Sequence, residues 1–347
     1  MTSLLTLPNL LAGLLVLSLN AYVVMGGADY GGGVWDLLAT GKRRREQRAL
    51  VAEAIGPIWE ANHVWLILVV VLLFTCFPPA FARLAVVLHV PLSLMLIGVV
   101  LRGSAFTFRT YDSQRDAVQH RWGTTFAIAS TVTPILLGVC LGAVASGAVG
   151  AADLARGFRA ALVAPWLTPF ALAVGLFTLV LFAFLAAVYL TLETAADDAL
   201  RDDFRARALW SGAAAVVAGA LVLHLAAGTA PRLLAALTGG WWGTLLHGLT
   251  AAASAAAMLA LWSRRYALAR AAAIVEVSCI LWGWAWAQFP YLLPPSVTIA
   301  AAAAPPVTLR LTLIGVTAGF VVLVPSLWYL FHIFKGEGNA FRSMDEH

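Results

Sequence analysis

The side chains best suited to proton chemistry lie in two short stretches of an otherwise apolar sequence. One stretch, MGGADYGGG, contains Asp29. The other, IGPIWEANHVWLIL, opens an apolar run with an acid, an amide and an imidazole between two tryptophans: Trp59, Glu60, Asn62, His63 and Trp65. A carboxylate and an imidazole three residues apart lie on the same face of a helix. Such groups can accept a proton from water and transfer it through short hydrogen-bond steps.

The local sequence leaves two interpretations of Glu60 open. Gly56 and Pro57 favour a helix start, because proline fits the first helical position. Glu60 then lies near the positive end of the helix dipole, where an acid can simply stabilise the helix end. Asp29 and Arg102 are expected at the same depth as Glu60, at one end of their own apolar runs. These groups form either a proton-uptake cluster or an ion-pair network.

The elements that must position these groups are membrane-spanning helices. Of the 347 residues, 61% are hydrophobic and 11% are charged, and the mean hydropathy is +0.87. This composition is typical of polytopic membrane proteins and excludes an ordinary soluble domain. An apolar run of about 20 residues is expected for each crossing. The sequence predicts nine spans, near residues 8–28, 58–78, 82–102, 123–146, 165–191, 207–228, 242–262, 267–288 and 309–334.

The placement of charge predicts how these spans are oriented. Cytoplasmic loops of membrane proteins carry an excess of lysine and arginine. One alternating set of loops holds the run GKRRREQR and most of the other basic residues. The second set holds only Arg83, Arg156, Arg159, Arg232 and Arg310. We therefore expect the N-terminus outside and the C-terminus in the cytoplasm.

The connections and the cysteines narrow the kinds of chemistry that are available. No connection is long enough for a soluble catalytic domain, so any chemistry lies within the membrane or at its edge. The cysteines lie inside apolar runs without paired spacing, which indicates neither a disulfide framework nor a metal knuckle. They are Cys76, Cys140 and Cys279.

Three further polar residues lie deeper in predicted spans. Glu276 is near the middle of span 8, where a charge costs about 2.5–3.5 kcal/mol, so it is expected to face the protein interior. A functional role and a structural hydrogen bond explain it equally well. His224 and His247 share a depth near the outer ends of spans 6 and 7, as a bis-histidine haem site requires. A hydrogen-bonded core histidine is the alternative for each of them.

The glycines around Asp29 predict close packing between helices. Gly27 and Gly31 form a small-xxx-small step, which lets the backbone of a neighbouring helix approach. The stretch lacks the following lysine of a phosphate-binding loop, so it does not indicate nucleotide binding.

Four motifs, in order along the chain, give it a resemblance to subunit II of the cytochrome bd quinol oxidases. They are ADYGGGVWDLL, the Trp59–Trp65 segment that begins span 2, Arg102 at the close of span 3, and QFPYLLPPSVTIA after span 8. The last motif contains Pro290, Tyr291 and Pro294. The sequence is most similar to the branch called cyanide-insensitive oxidases.

The resemblance implies an all-α membrane protein of two four-helix bundles plus a peripheral helix. We therefore expect a first bundle over residues 1–146 and a second over residues 147–288. Residues 289–347 are expected to form an outer proline-rich loop, the ninth helix and a cytoplasmic tail.

The resemblance also implies a function in the bacterial cytoplasmic membrane. In this family, subunit I carries haems b and d, binds quinol and reduces O₂ to water. Subunit II stabilises subunit I and contributes to a proton path from the cytoplasm. This chain is accordingly expected to bind no haem or metal, and to hold at most a structural quinone or lipid. Small single-helix subunits and membrane lipids are further expected partners, whereas nucleic acid is not.

Two positions depart from the pattern of the family. The acid after the span 2 tryptophan is often aspartate in the family and is Glu60 here. Several members carry a further acid at the position of Gly26, so a route through that acid is in doubt here. His63 and Asn62 are expected to orient Glu60 through hydrogen bonds. The guanidinium of Arg102 is expected to keep one of the acids ionised. The candidate proton-path residues are therefore Asp29, Glu60, Asn62, His63 and Arg102.

Two other classes of function compete with this interpretation. A secondary transporter is suggested by a weak internal repeat and by Glu276, since transporter substrate sites lie near the bilayer midplane. A b-type cytochrome anchor is suggested by His224 and His247. Co-purification separates the three, because only the oxidase subunit requires a haem-bearing membrane partner.

Overall fold

The computed structural model describes residues 5–55, 59–111, 116–194 and 197–336. Helices dominate these ranges, because a helix satisfies its own backbone hydrogen bonds where lipid replaces water. In chain order the helices are α1 (Leu7–Leu37), α2 (Arg44–Ile55), α3 (Trp59–Cys76), α4 (Pro78–Val87), α5 (His89–Tyr111), α6 (Asp116–Ala145), α7 (Ala148–Ala151), α8 (Pro169–Glu193), α9 (Asp198–Thr229), α10 (Pro231–Thr238), α11 (Gly240–Trp262), α12 (Tyr266–Gln288), α13 (Ile299–Ala302) and α14 (Pro306–Gly336).

Nine of the helices in the described ranges are long and apolar enough to cross a membrane, which confirms the predicted number of spans. They are α1, α3, α5, α6, α8, α9, α11, α12 and α14. The shorter elements include a two-stranded antiparallel hairpin of β1 (Tyr291–Leu293) and β2 (Val297–Thr298). The helix start predicted at Gly56 and Pro57 lies outside the described residues.

The first predicted span ends too early, because α1 continues nine residues beyond residue 28, to Leu37. Glycines do not end the helix here because neighbouring elements fill the space beside them. A Cβ atom on Gly31 would lie 1.9 Å from the backbone oxygen of Phe182 in α8, and one on Gly33 would lie 2.2 Å from Cβ of Ser130 in α6. The close approach predicted from Gly27 and Gly31 is therefore confirmed.

The third predicted span also differs from the structure. The run near 82–102 is divided between α4 and α5, with the break at Leu88. Helix α5 then extends to Tyr111, so Arg102 lies well inside the helix and does not close it. The prediction followed hydropathy alone, which falls at Arg102 although the helix continues.

Helices α1 and α8 form the centre of the molecule. Helix α1 packs against α3, α6 and α8, while α8 packs against α6, α9 and α12. The small residues along both helices permit this density, since short side chains let helix backbones approach closely. Helix α14 lies at the periphery, and only 6% of its most apolar 18-residue stretch is buried against the rest of the chain. The division into bundles at residue 146 stays a prediction, because α1 and α6 both contact α8 across it.

One end of the helical assembly, which we call the proline end, carries the hairpin. The Phe289–Pro290 and Pro294–Pro295 peptide bonds are cis. The carbonyl oxygen of Pro294 packs on Gly150 so closely that a Cβ there would lie 2.1 Å from it. The guanidinium carbon of Arg232 lies 4.9 Å from the centroid of the Tyr291 ring. The predicted motif residues therefore organise this end.

The opposite end, which we call the basic end, is held together by ion pairs around α2. Arg43 Nε donates to Asp203 of α9 at 2.9 Å, and this hydrogen bond raises the pKa of the guanidinium. Gln47 Nε2 donates to the same carboxylate at 2.8 Å. Asp36, near the end of α1, accepts from Arg109 Nη1 of α5 at 3.1 Å. Gln47 thus attaches α2 to α9, while the Asp36–Arg109 pair joins α1 to α5.

Candidate functional site

The centre of the candidate site is a hydrogen-bonded acid and amide on neighbouring helices. Asn62 Nδ2 of α3 donates to Asp29 Oδ2 of α1 at 2.7 Å. Asp29 is 5% exposed and Asn62 is 1% exposed, so the pair is shielded by protein on all sides. The predicted role of Asn62 as a partner that orients Glu60 is therefore corrected: the amide binds Asp29 instead.

Glu60 lies on the other face of α3. Residues two apart on a helix are separated by about 200°, so the face that buries Asn62 directs Glu60 outward. Glu60 is exposed. It begins a stripe of exposed apolar side chains with alternating spacings of four and three residues: Val64, Ile67, Val71 and Phe74. The expected single layer is thus divided, with Asp29 inside the chain and Glu60 on its surface.

A pair of tyrosines extends the site along α1. Tyr22 Oη donates to Tyr30 Oη at 3.1 Å, and both side chains are almost fully buried. The His63 ring lies beside both, with ring centroids 6.0 Å from Tyr22 and 6.2 Å from Tyr30. His63 Nδ1 is buried and finds no hydrogen-bond partner within the described ranges. His63 therefore faces the tyrosines and the interior rather than Glu60.

Arg102 supplies a buried positive charge to this layer. The residue is 1% exposed. Its guanidinium carbon lies 4.6 Å from the ring centroid of Tyr30, 5.4 Å from that of Phe126 and 5.9 Å from that of Trp59. Cation–π contacts of this kind stabilise a desolvated guanidinium. Arg102 and Asp29 both interact electrostatically with Tyr30, so the two opposite charges lie within reach of one phenol. The structure thus places Arg102 against Tyr30, the chain neighbour of Asp29.

The two motif tryptophans frame the cluster. Trp59 packs edge-on against His63, with ring centroids 6.0 Å apart, and a Cβ on Gly103 would lie 2.9 Å from Trp59. Trp65 contacts Phe320 of α14, with ring centroids 6.0 Å apart. One tryptophan therefore packs beside the polar layer, while the other attaches the peripheral helix to α3.

The residues that sequence reasoning missed are Tyr22 and Tyr30. A signal was present, because Tyr22, Asp29 and Asp36 are seven residues apart and so share one face of α1. Ser18 lies one turn before Tyr22 on that face and is fully buried. Tyrosine is common in apolar spans, so only this spacing distinguishes Tyr22, and Tyr30 carries no comparable signal.

Glu276 lies in the second half of the chain, apart from this cluster. It is 5% exposed on α12 and lies beside Ser254 of α11. Its Oε2 atom has no hydrogen-bond partner in the part of the chain that the structure describes. The expectation that this acid faces the protein interior is confirmed.

The two histidines of the haem alternative differ in their surroundings. His224 is exposed on α9. His247 Nδ1 lies 3.0 Å from the carbonyl oxygen of Gly243 on its own helix. Across the described ranges, no group of three or more histidine, cysteine or acidic side chains is arranged to hold a metal ion.

A surface groove of ≈ 680 Å³ lies along α11 in the second half of the chain. It is lined by Gly240, Trp241, Thr244, Leu245, Gly248 and Leu249. Its lining is mostly apolar, with the Thr244 hydroxyl and the Trp241 indole among its polar groups. The expected structural quinone or lipid of the first bundle stays a prediction.

Comparisons with known proteins agree with the geometry. A Bacillus subtilis (strain 168) protein, provisionally named as a cytochrome bd menaquinol oxidase subunit II, is 22% identical over 336 residues, covering 92% of this chain and 93% of its own. The cytochrome bd-I ubiquinol oxidase subunit 2 of Escherichia coli (strain K12) is 27% identical over 193 residues, covering 55% of this chain and 49% of its own.

A solved structure shares the fold. A chain of the bd oxidase from Geobacillus thermodenitrificans superposes with a TM-score of 0.75 at 21% identity, covering 95% of this chain and 99% of that chain. The family model described as cytochrome bd terminal oxidase subunit II matches residues 7–334, which is nearly the whole sequence. The chain therefore belongs to the cytochrome bd terminal oxidase subunit II family.

Proposed function

We propose that this chain is the non-haem subunit of a quinol:O₂ oxidoreductase in the bacterial cytoplasmic membrane. It stabilises a haem-bearing subunit I and supplies protons from the cytoplasm for the reduction of O₂ to water. The observation that carries the proposal is the buried Asp29–Asn62 pair, which lies in one layer with Arg102 inside a membrane-spanning bundle. Polar groups at such positions mark ion or proton pathways, because burying them in a membrane is costly.

The surface stripe on α3 supports the assignment of a membrane partner. Its members recur at the spacing of a helix–helix seam, which is the pattern that places side chains into the grooves of a facing helix. Glu60 begins this stripe and is exposed next to apolar neighbours. A carboxylate in that position is stabilised when a second polar surface covers it. We assign the stripe to the contact with subunit I, with Glu60 at the mouth of the contact.

Asp29 and Glu60 then have different roles in proton supply. Glu60 takes protons at the subunit contact, where water from the basic end can reach it. Asp29 is the internal acid, and the Arg102 guanidinium lies over the ring of its chain neighbour Tyr30. The Asn62 amide holds the Asp29 carboxylate in one orientation.

The test uses the complex of both subunits, purified and reconstituted in liposomes. Glu60→Gln and Asp29→Asn remove the proton-binding carboxyl groups but keep the side-chain shapes. We expect haem content to remain at the wild-type level, while quinol oxidase turnover falls by at least about tenfold, as for the loss of a general acid–base group.

Glu46→Gln is the matched control, because Glu46 is an exposed acid on α2 at the same end of the molecule. It should retain full turnover. Full activity and normal haem content in both Glu60→Gln and Asp29→Asn would refute the proton-supply role. Recovery of the wild-type chain without any haem-bearing partner would refute its assignment as an oxidase subunit.

A further inference from the structure

The hydroxyl groups of Tyr22 and Tyr30 form a buried polar link inside the first half of the chain. They are joined by a hydrogen bond of 3.1 Å, and the side chains are 2% and 1% exposed. Packing of the two rings does not by itself require their hydroxyl groups to meet. The hydroxyls are turned toward each other instead, and each can both donate and accept a hydrogen bond.

This link starts beside the acid of the candidate site. Asp29 interacts electrostatically with both phenols, and Arg102 lies over the ring of Tyr30. Asp29 and Tyr22 are seven residues apart, so they lie on one face of α1, separated by about 10 Å along its axis. The two hydroxyls bridge part of that interval. Ser18, one turn beyond Tyr22, continues the same face and is fully buried.

Gly26 makes room for this arrangement. A Cβ atom on Gly26 would lie 3.0 Å from Cε2 of Tyr22, so the phenol ring covers the glycine. A longer side chain at position 26 would push the ring away from its present place. The Tyr22 ring therefore lies over the part of α1 between Asp29 and the middle of the helix. This part of α1 contains no acidic residue.

We propose that the Tyr22–Tyr30 hydroxyl pair carries protons from Asp29 toward Ser18 and the interior of the bundle. The inference rests on the proposed function, because it requires that a proton reach Asp29. The protonated carboxyl of Asp29 gives its proton to the Tyr30 oxygen. As that O–H bond forms, the original proton of Tyr30 passes to the Tyr22 oxygen, and the original proton of Tyr22 is released to water on the Ser18 side of the pair. The Ser18 hydroxyl itself donates to the carbonyl oxygen of Leu14 at 2.8 Å.

Each step forms one O–H bond and breaks another, so neither phenol is oxidised and no charge remains on the pair. The observed arrangement, in which Tyr22 donates to Tyr30, is the one reached after transfer. Rotation of the two hydroxyls then restores the starting arrangement, in which Tyr30 donates to Tyr22. His63 packs against both rings and Arg102 against Tyr30, which holds the phenols in register. These two side chains act as positioning residues.

The test compares Tyr22→Phe and Tyr30→Phe in the reconstituted complex with its haem-bearing partner. Both substitutions remove a hydroxyl and keep the ring. We expect normal haem content, turnover lowered about tenfold, and a larger solvent deuterium isotope effect on turnover, because proton transfer becomes rate-limiting. Tyr189→Phe is the matched control, since the Tyr189 hydroxyl donates to a backbone carbonyl, that of Val24, at 3.1 Å. It should leave all three quantities unchanged.

The outcomes separate this inference from the proposed function. Wild-type turnover and isotope effect in both tyrosine variants, with slow turnover in Asp29→Asn, overturns the relay and leaves the proposed function standing. Wild-type turnover in Asp29→Asn overturns both. Loss of haem, an unchanged isotope effect, or equal slowing in Tyr189→Phe assigns the tyrosines to packing and also overturns the relay.

Discussion

The contact between Gly31 and α8 yields a sharp prediction about what holds the two halves of the chain together. Replacing Gly31 with alanine adds one methyl group at a point where α1 and α8 are in close contact. That methyl carbon would lie 1.9 Å from the backbone oxygen of Phe182 and 2.7 Å from Cβ of Ala186. The first contact involves backbone, so no rotation of a side chain can relieve it.

The magnitude follows from the required displacement. Ordinary contact begins at 3.4 Å, so the helices must separate by about 1.5 Å in a region packed as densely as a crystal. A gap of about 0.5–1 Å already removes a quarter to a half of the dispersion attraction between facing atoms. The neighbouring contact of Gly27 with the Phe182 ring would be weakened as well. We expect a loss of about 3 kcal/mol, at the upper end of the range for overpacking.

The assay is the thermal stability of the purified complex in detergent, read as the temperature at which half of it loses its folded elution profile. Gly31→Ala should lower this temperature by roughly 5 °C or more. Gly13→Ala is the control on the same helix, because no atom lies within 4 Å of the added Cβ. It should be neutral or stabilise by about 0.5 kcal/mol, since alanine restricts the unfolded chain more than glycine does.

The reasoning would be refuted if Gly31→Ala and Gly13→Ala unfolded at the same temperature as the wild type. That result would mean that α1 and α8 can move apart without loss, so that their close approach does not contribute to stability. A decrease of equal size in both variants would likewise show that the effect is not specific to the contact with Phe182.

Two further predictions concern the basic end. Asp36→Asn should destabilise the complex by about 2 kcal/mol, because the Arg109 guanidinium would then face a neutral amide in place of the buried carboxylate. The melting temperature of this variant should fall at both low and high salt, because salt screens a buried ion pair only weakly. A decrease seen only at low salt would contradict this prediction. Gln47→Leu should cost about 2 kcal/mol, because it removes the amide that donates to Asp203 and accepts from Arg207, while Arg43 still binds Asp203. Glu46→Gln on the exposed side of α2 should not change stability. Equal melting temperatures of these two variants would show that α2 is not attached through Gln47.

Several features of this protein were predictable because they depend on composition along the chain. The nine spans follow from hydropathy, which is a local property of each run and needs no knowledge of neighbours. The burial of Glu276 follows from the cost of placing a carboxylate in lipid. The close approach at Gly27 and Gly31 follows from their spacing.

Helix ends were less predictable, for a physical reason. The sequence placed the end of span 1 at the glycine-rich stretch and the end of span 3 at Arg102, because hydropathy falls at both. In the structure, Phe182 and Ser130 pack against the glycines of α1, and aromatic rings surround the guanidinium of Arg102. Tertiary contacts thus compensate for features that would end an isolated helix.

The sequence by itself determined which polar groups enter the membrane and at roughly what depth. It did not determine which way each one faces, because the apolar residues of α3 are spread around the whole helix and mark no inner face. Only packing against α1 decided that Asn62 binds Asp29 while Glu60 faces outward. The same packing joined Tyr22 to Tyr30. Residues two apart on a helix lie on opposite faces, so Asn62 and Glu60 had to face different surroundings. Which surroundings each one met was decided by the packing of α3 against α1.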